Sequence, residues 1–157
     1  MRLELTHRGD YAVRAMLALS QTHAAKGRLS VRRIAAEMSI PVAFLPQVMR
    51  DLMAAGLVDA STGRGGGYRL ARPAVEISVL QIIESVEGDS RRTSCVLRGS
   101  PCGKDGHCDA HAVFFAAQDA MLDRLRLATL GDLGRTTATA GATPPDGTIA
   151  LVKPCLN

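Results

Sequence analysis

Residues 30–56 read SVRRIAAEMSIPVAFLPQVMRDLMAAG, and this stretch decides the fold. Ser30 is a favourable N-cap for the short helix VRRIAAEM, in which apolar residues recur at helical spacing. The segment SIPVAF predicts a turn, and a second apolar stripe follows it as far as Gly56, a residue that commonly ends helices. Two short amphipathic helices joined by a tight turn predict a helix-turn-helix.

The start of the second of these helices is constrained by Pro46. Proline has no backbone N–H and is tolerated only in the first turn of a helix. We therefore expect this helix to begin near Val42 or Ala43.

A glycine-rich hairpin is predicted directly after this motif. The sequence LVDASTGRGGGYRLARP contains two short alternating apolar segments, LVDAS and YRLA, on either side of a glycine-rich bend. Glycine-rich turns between strands are common, but behind a helix-turn-helix this one is a candidate DNA-binding wing. Gly65, Gly66 and Gly67 would let the backbone approach a duplex closely, and Arg64 at the tip is suited to the minor groove.

Further helices are expected on both sides of this core. Amphipathic patterns predict one helix at about residues 10–25 and another at 78–88, between a serine cap and a glycine stop. A long helix over 110–133 has an apolar face wider than a small domain needs, so it either pairs with a second copy or packs within its own chain. Residues 134–157 are rich in Thr, Ala, Gly and Pro, and we expect a disordered tail there.

The charge is divided unevenly along the chain. The 157 residues, about the length of one ordinary domain, carry a net charge of +4. Residues 1–72 hold eleven Arg or Lys against five acids, a balance of +6, whereas residues 73–157 hold eight against ten, a balance of −2. A basic half indicates a nucleic-acid partner. No stretch approaches the ~18 apolar residues of a membrane span, so we expect a cytoplasmic protein with no membrane partner.

Three cysteines lie in one glycine- and proline-containing loop. Residues 95–108 read CVLRGSPCGKDGHC, and His111 follows the last cysteine by three positions. Cysteines crowded together in a chain without a signal peptide indicate metal or redox chemistry rather than a disulfide framework. The loop therefore predicts a metal centre attached to a DNA-binding module. No Ser-His-Asp set, phosphate loop or paired carboxylate indicates an enzyme.

Several local strings occur together in a specific order. They are RGDYAVRAMLALS, LSVRRIAAEMSIPVAFLPQVMRDLMAAGLV, GRGGGYRLARP, ISVLQIIESVEG, the three-cysteine loop and TLGDL, all within residues 1–133. In these strings the chain resembles the Rrf-two (Rrf2) family of bacterial transcription regulators. The resemblance implies a mainly α-helical, winged helix-turn-helix homodimer whose long last helix crosses to the partner subunit. It also implies binding of double-stranded promoter DNA and, in many members, of an iron-sulfur cluster.

The resemblance assigns candidate cluster ligands by position. Cys95, Cys102 and Cys108 match the three cluster cysteines of the family, and thiolates are soft donors suited to iron. The fourth ligand has two candidates. His111 matches the histidine of members that hold a [2Fe-2S] cluster, and Asp10 falls where other members place an aspartate that completes a [4Fe-4S] cluster. The spacing of the first two cysteines does not match either group, so the cluster type stays open.

The same match indicates the residues that contact DNA. They are Arg32, Arg33, Ala43, Phe44, Gln47, Arg50, Arg64, Gly65 and Gly66. Gln47 and Arg50 carry the donors and acceptors that base edges or phosphates require. Pro46 stands where members often have a polar residue, so we expect a different target sequence.

These features predict four segments with distinct roles. They are a winged helix-turn-helix at 1–88, a cluster-binding loop at 89–109, a dimerisation helix at 110–133 and the tail at 134–157. The predicted function is a DNA-binding transcriptional regulator, either a repressor or an activator. Its DNA affinity would be controlled by an iron-sulfur cluster that senses iron or cluster status, nitric oxide or redox state. Two alternatives use the same residues: tetrahedral zinc that staples the fold, and a thiol-disulfide switch that needs no metal.

Overall fold

The fold is mainly helical with one β-hairpin, as predicted. The structure is a computed structural model that describes residues 5–23, 27–90 and 109–138. The elements are α1 His7–His23, α2 Val31–Met38, α3 Leu45–Ala54, β1 Val58–Ser61, β2 Gly67–Leu70, α4 Val79–Glu87, α5 Asp109–Leu127 and α6 Leu130–Ala138. A single 3-10 turn at Ala74–Glu76 precedes α4. No helix in these described ranges is long and apolar enough to cross a membrane.

The helix-turn-helix formed by α2 and α3 begins and ends at the predicted residues. The Ser30 hydroxyl accepts a hydrogen bond from the Arg33 N–H at 3.3 Å and so caps α2. Ser39 ends α2 with φ 53°, and Gly56 lies just beyond α3 with φ 68°, both in the left-handed region. The buried stripe of α3 is the predicted one, Leu45, Val48, Met49 and Leu52.

The predicted start of α3 near Val42 or Ala43 is wrong. The helix begins at Leu45, because the preceding residues are held by hydrogen bonds that span three residues rather than four. The Phe44 N–H donates to the Pro41 carbonyl at 3.1 Å, and the Leu45 N–H donates to the Val42 carbonyl at 3.3 Å. Pro46 still lies in the first helical turn, as predicted.

Helix α1 is the centre of the core and begins three residues earlier than its pattern predicts. It packs against α2, α3, α4, α6 and β2. Val13 and Leu17, two large apolar residues of α1, are only partly buried. Small alanines occupy much of the most buried face instead, and they let neighbouring helices approach α1 closely. The buried residues of α1 are Ala12, Ala15, Met16, Ala18 and Leu19.

The first turn of α1 is fixed by the last residue of α4. Glu87 Oε1 accepts hydrogen bonds from the Thr6 N–H at 2.9 Å and from the Thr6 hydroxyl at 2.6 Å. Gly9 lies directly beneath this carboxylate, because a Cβ there would be 2.2 Å from Oε1. The end of α4 is thereby attached to the beginning of α1.

The wing formed by β1 and β2 is an antiparallel hairpin, as predicted, and it is joined to the start of α2. In the hairpin Val58 lies opposite Leu70. Leu29 and Tyr68 exchange two main-chain hydrogen bonds of 2.9 and 2.8 Å. Gly67 has φ 139°, and a Cβ there would be 2.7 Å from the Leu29 carbonyl oxygen. Only glycine allows this close contact between the wing and the segment before α2.

Helix α4 is capped at both ends as its sequence predicts. Ser78 and Gln81 form a reciprocal capping box, and Gly88 follows the last residue of α4 with φ 84°.

The single long helix expected over 110–133 is wrong, because α5 ends at Leu127 and a new helix, α6, begins after Thr129. The Thr129 hydroxyl accepts a hydrogen bond from the Asp132 N–H at 3.1 Å, and the Asp132 carboxylate accepts one from the Thr129 N–H at 2.9 Å, so this reciprocal pair caps the start of α6.

The junction between α5 and α6 is attached to the start of α4. The Val79 N–H donates to the Ala128 carbonyl at 2.9 Å, and the Leu130 N–H donates to the Ile77 carbonyl at 2.8 Å. Because α6 continues to Ala138, residues 134–138 of the predicted tail are helical. Residues 139–157 lie outside the described part of the chain.

Candidate nucleic-acid interface and cluster site

The side chains predicted to contact DNA from α3 lie on its exposed side. Ala43 and Phe44 in the turn, and Gln47 and Arg50 on the helix, are all exposed. They lie opposite the buried stripe that attaches α3 to the core. This exposed side of α3, with the turn before it, is called the reading face below.

A chain of hydrogen bonds crosses the reading face. The Arg50 Nη1 donates to Gln47 Oε1 at 3.1 Å, and the Gln47 Nε2 donates to Asp51 Oδ1 at 2.9 Å. Arg8, from the first turn of α1, donates through Nη2 to Asp51 Oδ2 at 2.6 Å. Asp51 and Arg8 were not among the residues predicted from the sequence. The four-residue spacing of Gln47 and Asp51 was a local signal for part of the chain, but nothing local indicates Arg8.

The arginines predicted to contact DNA from outside α3 lie on α2 and at the tip of the wing. Arg32 and Arg33 are exposed on α2, and Arg33 Nε donates to Glu37 Oε1 at 2.7 Å. Arg64 is exposed at the tip of the wing.

The two glycines predicted to contact DNA, Gly65 and Gly66, are glycine for different structural reasons. A Cβ at Gly66 would lie 2.4 Å from the Ser61 carbonyl oxygen, so this residue is glycine because the hairpin is tightly packed. Gly65 has φ 80° and open space around it, so its positive φ alone favours glycine.

Asp10, one of the two candidates for the fourth cluster ligand, is paired with Arg14. The Arg14 Nε donates to Asp10 Oδ1 at 3.0 Å, and its Nη2 donates to Asp10 Oδ2. Arg14 also donates to the Met38 carbonyl at 3.0 Å. The hydrogen bond to the Asp10 carboxylate raises the pKa of Arg14 above its ordinary value. Asp10 therefore helps hold α1 against the end of α2.

A small aromatic cluster lies beside this pair. The rings of Tyr11 and Phe44 are 5.7 Å apart between centroids, and the Arg14 guanidinium lies 5.5 Å from the Tyr11 centroid. Phe44 is half-exposed at 54%. Its contact with Tyr11 orients it from below while its outer side faces solvent.

The structure describes one of the other candidate ligands. His111 is the third residue of α5, and its ring stacks on Phe115 with centroids 3.9 Å apart. Cys95, Cys102 and Cys108 lie outside the described residues, although Cys108 directly precedes the first residue of α5 in sequence. Among the residues that are described, no three His, Cys, Asp or Glu side chains form a metal site. Three thiolates followed by an imidazole at a helix start nevertheless fit an iron-sulfur cluster chemically.

Comparison with known proteins decides the family. A family model described as Rrf2, iron-dependent transcriptional regulator, matches residues 5–136. The chain belongs to the Rrf2 family. IscR of Vibrio vulnificus (strain YJ016), an HTH-type transcriptional regulator, is 34% identical to this Rrf2 protein over 131 residues, which are 83% of this chain and 77% of that protein.

Two solved structures share the winged-helix fold of this Rrf2 protein. CymR, the global cysteine regulator of B. subtilis, is 28% identical with a TM-score of 0.72, and the match covers 85% of this chain and 98% of that one. T. potens IscR is 26% identical with a TM-score of 0.73, covering 91% and 94%. The Rrf2 protein is thus an IscR-like transcriptional regulator, not an enzyme, and DNA is the implied partner.

Proposed function

We propose that this Rrf2 protein is a homodimeric repressor whose affinity for operator DNA is controlled by an iron-sulfur cluster bound to Cys95, Cys102 and Cys108. It acts on promoter DNA in the cytoplasm. The observation that carries the proposal is the reading face, where exposed hydrogen-bonding side chains are supported by a buried apolar stripe. The first step is DNA recognition, and the second is its control.

DNA recognition is assigned to α3 and the wing. Gln47 and Arg50 have the groups that hydrogen-bond to base edges in the major groove, a groove wide enough to admit a helix. Arg32, Arg33 and Arg64 carry positive charge around them and suit phosphates or the minor groove. Phosphate contacts set the position of the protein, and the side chains of α3 supply the sequence preference.

His111 is the better supported candidate for the fourth ligand. It follows Cys108 by three positions, and its ring is oriented by Phe115. Asp10 would have to give up a bidentate ion pair with Arg14, which itself binds the Met38 carbonyl. Bound to these cysteines and His111, an iron-sulfur cluster would supply a centre that responds to iron supply, oxidants or nitric oxide.

A second copy of the chain is the proposed cover for α5. Leu122 is buried against the rest of the chain, but Val113 and Leu127 are 69% and 73% exposed. An apolar helix face of this kind is commonly buried in a symmetric dimer. The spacing of two recognition helices must match DNA half-sites about 34 to 36 Å apart. Since α5 follows the cysteine-bearing loop, the loop and the half-site spacing are coupled through this helix.

The cluster is tested by comparing two cysteine variants purified without oxygen. Cys102→Ala removes a proposed ligand, whereas Cys155→Ala removes the fourth cysteine of the sequence, which lies 47 residues after Cys108 and is not a proposed ligand. We expect about two irons and two sulfides per chain in the wild type and in Cys155→Ala, as for a [2Fe-2S] cluster. Cys102→Ala should lose both and become colourless. About four irons per chain would instead indicate a [4Fe-4S] cluster and overturn the assignment of His111.

Control of DNA binding is tested with a duplex selected from random sequence by the cluster-loaded protein. We expect Cys102→Ala to bind this duplex with altered affinity and Cys155→Ala to bind it like the wild type. A Cys102→Ala protein with unchanged cluster content and unchanged DNA affinity contradicts the proposal.

The likeness to CymR favours one second candidate, a thiol switch without a metal. CymR is described as a cysteine regulator, and its TM-score with this chain is 0.72. For a thiol switch, the number of alkylated cysteines would depend on reductant and not on chelator. A colourless protein containing zinc would indicate a metal that only stabilises the fold.

A further inference from the structure

Asp51 uses its two carboxylate oxygens on two different parts of the molecule. Oδ1 accepts from Gln47 on the reading face at 2.9 Å, and Oδ2 accepts from Arg8 of α1 at 2.6 Å. The side chain of Asp51 is only 20% exposed, whereas that of Arg8 is 51% exposed. Asp51 is therefore the more shielded of the two charged groups in this ion pair, with Gln47 and Arg50 exposed beside it on the reading face.

We propose that Asp51, held by Arg8, is a positioning residue that fixes the orientation of the Gln47 amide and thereby the base preference of α3. This rests on the proposed function, because it assumes that α3 is the recognition helix. Asp51 is not assigned a DNA contact of its own. A carboxylate facing the phosphates would repel them, and the ion pair with Arg8 offsets that charge.

The orientation of Gln47 follows from the chemistry of its two neighbours. A carboxylate can only accept hydrogen bonds, so Asp51 must face the NH₂ end of the amide. A guanidinium can only donate, so Arg50 must face the carbonyl end. Reversing the amide would set acceptor against acceptor on one side and donor against donor on the other. The two neighbours thus specify the same orientation from opposite sides.

The fixed orientation determines what Gln47 offers to DNA. After these two bonds the amide retains one N–H and one oxygen lone pair, a donor and an acceptor in a set order along the helix. Glutamine reads adenine through such a pair, donating to N7 and accepting from N6. Because the order is set before DNA binds, no conformational freedom of the amide is lost on binding, which is the benefit of preorganisation.

The replacement Asp51→Asn separates this role from a general effect of charge. An asparagine amide both donates and accepts, so residue 51 no longer selects the orientation of Gln47 and only Arg50 still favours the original one. We expect the preference between the selected duplex and duplexes with single base-pair changes opposite Gln47 to fall about five- to tenfold, within the range of one bidentate base contact. Binding to unrelated DNA should become stronger, because one negative charge is removed. A purely structural defect would instead weaken binding to the selected duplex and to unrelated DNA alike.

The matched control is Asp59→Asn. Asp59 is also ion-paired with an arginine, Arg69, at 3.3 Å, but it lies on the wing and outside the hydrogen-bond chain of Arg50, Gln47, Asp51 and Arg8. This change removes the same charge, so it should strengthen binding to all duplexes and leave the ratios between them unchanged. Arg8→Gln changes the charge in the opposite direction. It should weaken binding to unrelated DNA and still reduce the base preference.

A double-mutant cycle with Gln47→Ala completes the experiment, with affinities measured by fluorescence anisotropy at one fixed salt concentration. Once the amide is gone, Asp51→Asn should cause no further loss of base preference. The proposal is overturned if Asp51→Asn keeps the wild-type preference, or if it reduces the preference equally with and without Gln47. Wild-type protein that selects no duplex would instead overturn the proposed function and this inference with it.

Discussion

Replacing Gly67 by alanine should detach the wing from the segment that precedes α2. A Cβ at this position would lie 2.7 Å from the carbonyl oxygen and 2.9 Å from the carbonyl carbon of Leu29. These are backbone atoms, so they cannot rotate away as the end of a side chain can. Either the wing or Leu29 must move, and the two hydrogen bonds between Leu29 and Tyr68 are then lost or lengthened.

The expected loss of stability can be divided into two parts. A net contribution of about 1 kcal/mol for each main-chain hydrogen bond gives about 2 kcal/mol for the pair. The positive φ of Gly67 adds about 1 to 2 kcal/mol when a Cβ is present. Gly63→Ala isolates the second part, because Gly63 has φ 92° and a Cβ there would meet no atom within 4 Å. Gly67→Ala should therefore cost about 3 to 4 kcal/mol and Gly63→Ala about 1 to 2 kcal/mol.

Urea denaturation of the 157-residue chain, followed by circular dichroism, measures both losses. The protein concentration must be the same for all variants, because the stability of a dimer depends on it. The shift in urea midpoint of each variant, multiplied by the slope that the variants share, gives its loss in free energy of unfolding. This loss should be about 2 kcal/mol larger for Gly67→Ala than for Gly63→Ala. Equal losses for the two variants would refute the reasoning, since the contact with Leu29 would then contribute nothing.

Three further predictions concern the core and the helix caps. Leu52→Ala should lower the free energy of unfolding by about 2 to 5 kcal/mol in urea denaturation, because Leu52 is fully buried; a loss within about 0.5 kcal/mol, as is usual for surface positions, would contradict its place in the core. Ser78→Ala should cost about 1 kcal/mol by removing a capping box, and an unchanged midpoint would contradict the role of that cap. Hydrogen bonds from Thr129 lower the pKa of Asp132, so its contribution is present above the ordinary carboxyl pKa and is lost as the pH falls through the lowered value. Thermal unfolding should therefore show Asp132→Asn less stable than the wild type at pH 7 and equal to it in strong acid; a difference that persisted in acid would contradict this account.

The helix-turn-helix and its wing were predictable because their signals are local. Ser30 caps α2, Gly56 follows α3, and the apolar stripe between them has helical spacing. The exposed side of α3 follows from the same spacing, which is why Gln47 and Arg50 were placed correctly on the surface. The exact start of α3 was not predictable from Pro46 alone, because that residue is compatible with several positions in a first turn.

Contacts between distant parts of the sequence account for what was missed. The pattern LRLATLGDL is continuous enough to predict one helix, but backbone hydrogen bonds to Ile77 and Val79 fix the break at Ala128 and Thr129. Thr129 and Asp132 form a local capping pair that the sequence did contain. The ion pair of Arg8 with Asp51 joins residues 43 positions apart, and no local pattern indicates it.

The first turn of α1 connects two regions that are far apart in sequence. Thr6 and Gly9 lie beneath Glu87, close to where the cysteine-bearing segment leaves α4. Arg8, in the same turn, reaches Asp51 behind the reading face. Thr6, Arg8 and Gly9 lie within one helical turn, which rises about 5.4 Å along the axis. The end of α4 and the carboxylate behind the reading face are thus held by the same turn of α1.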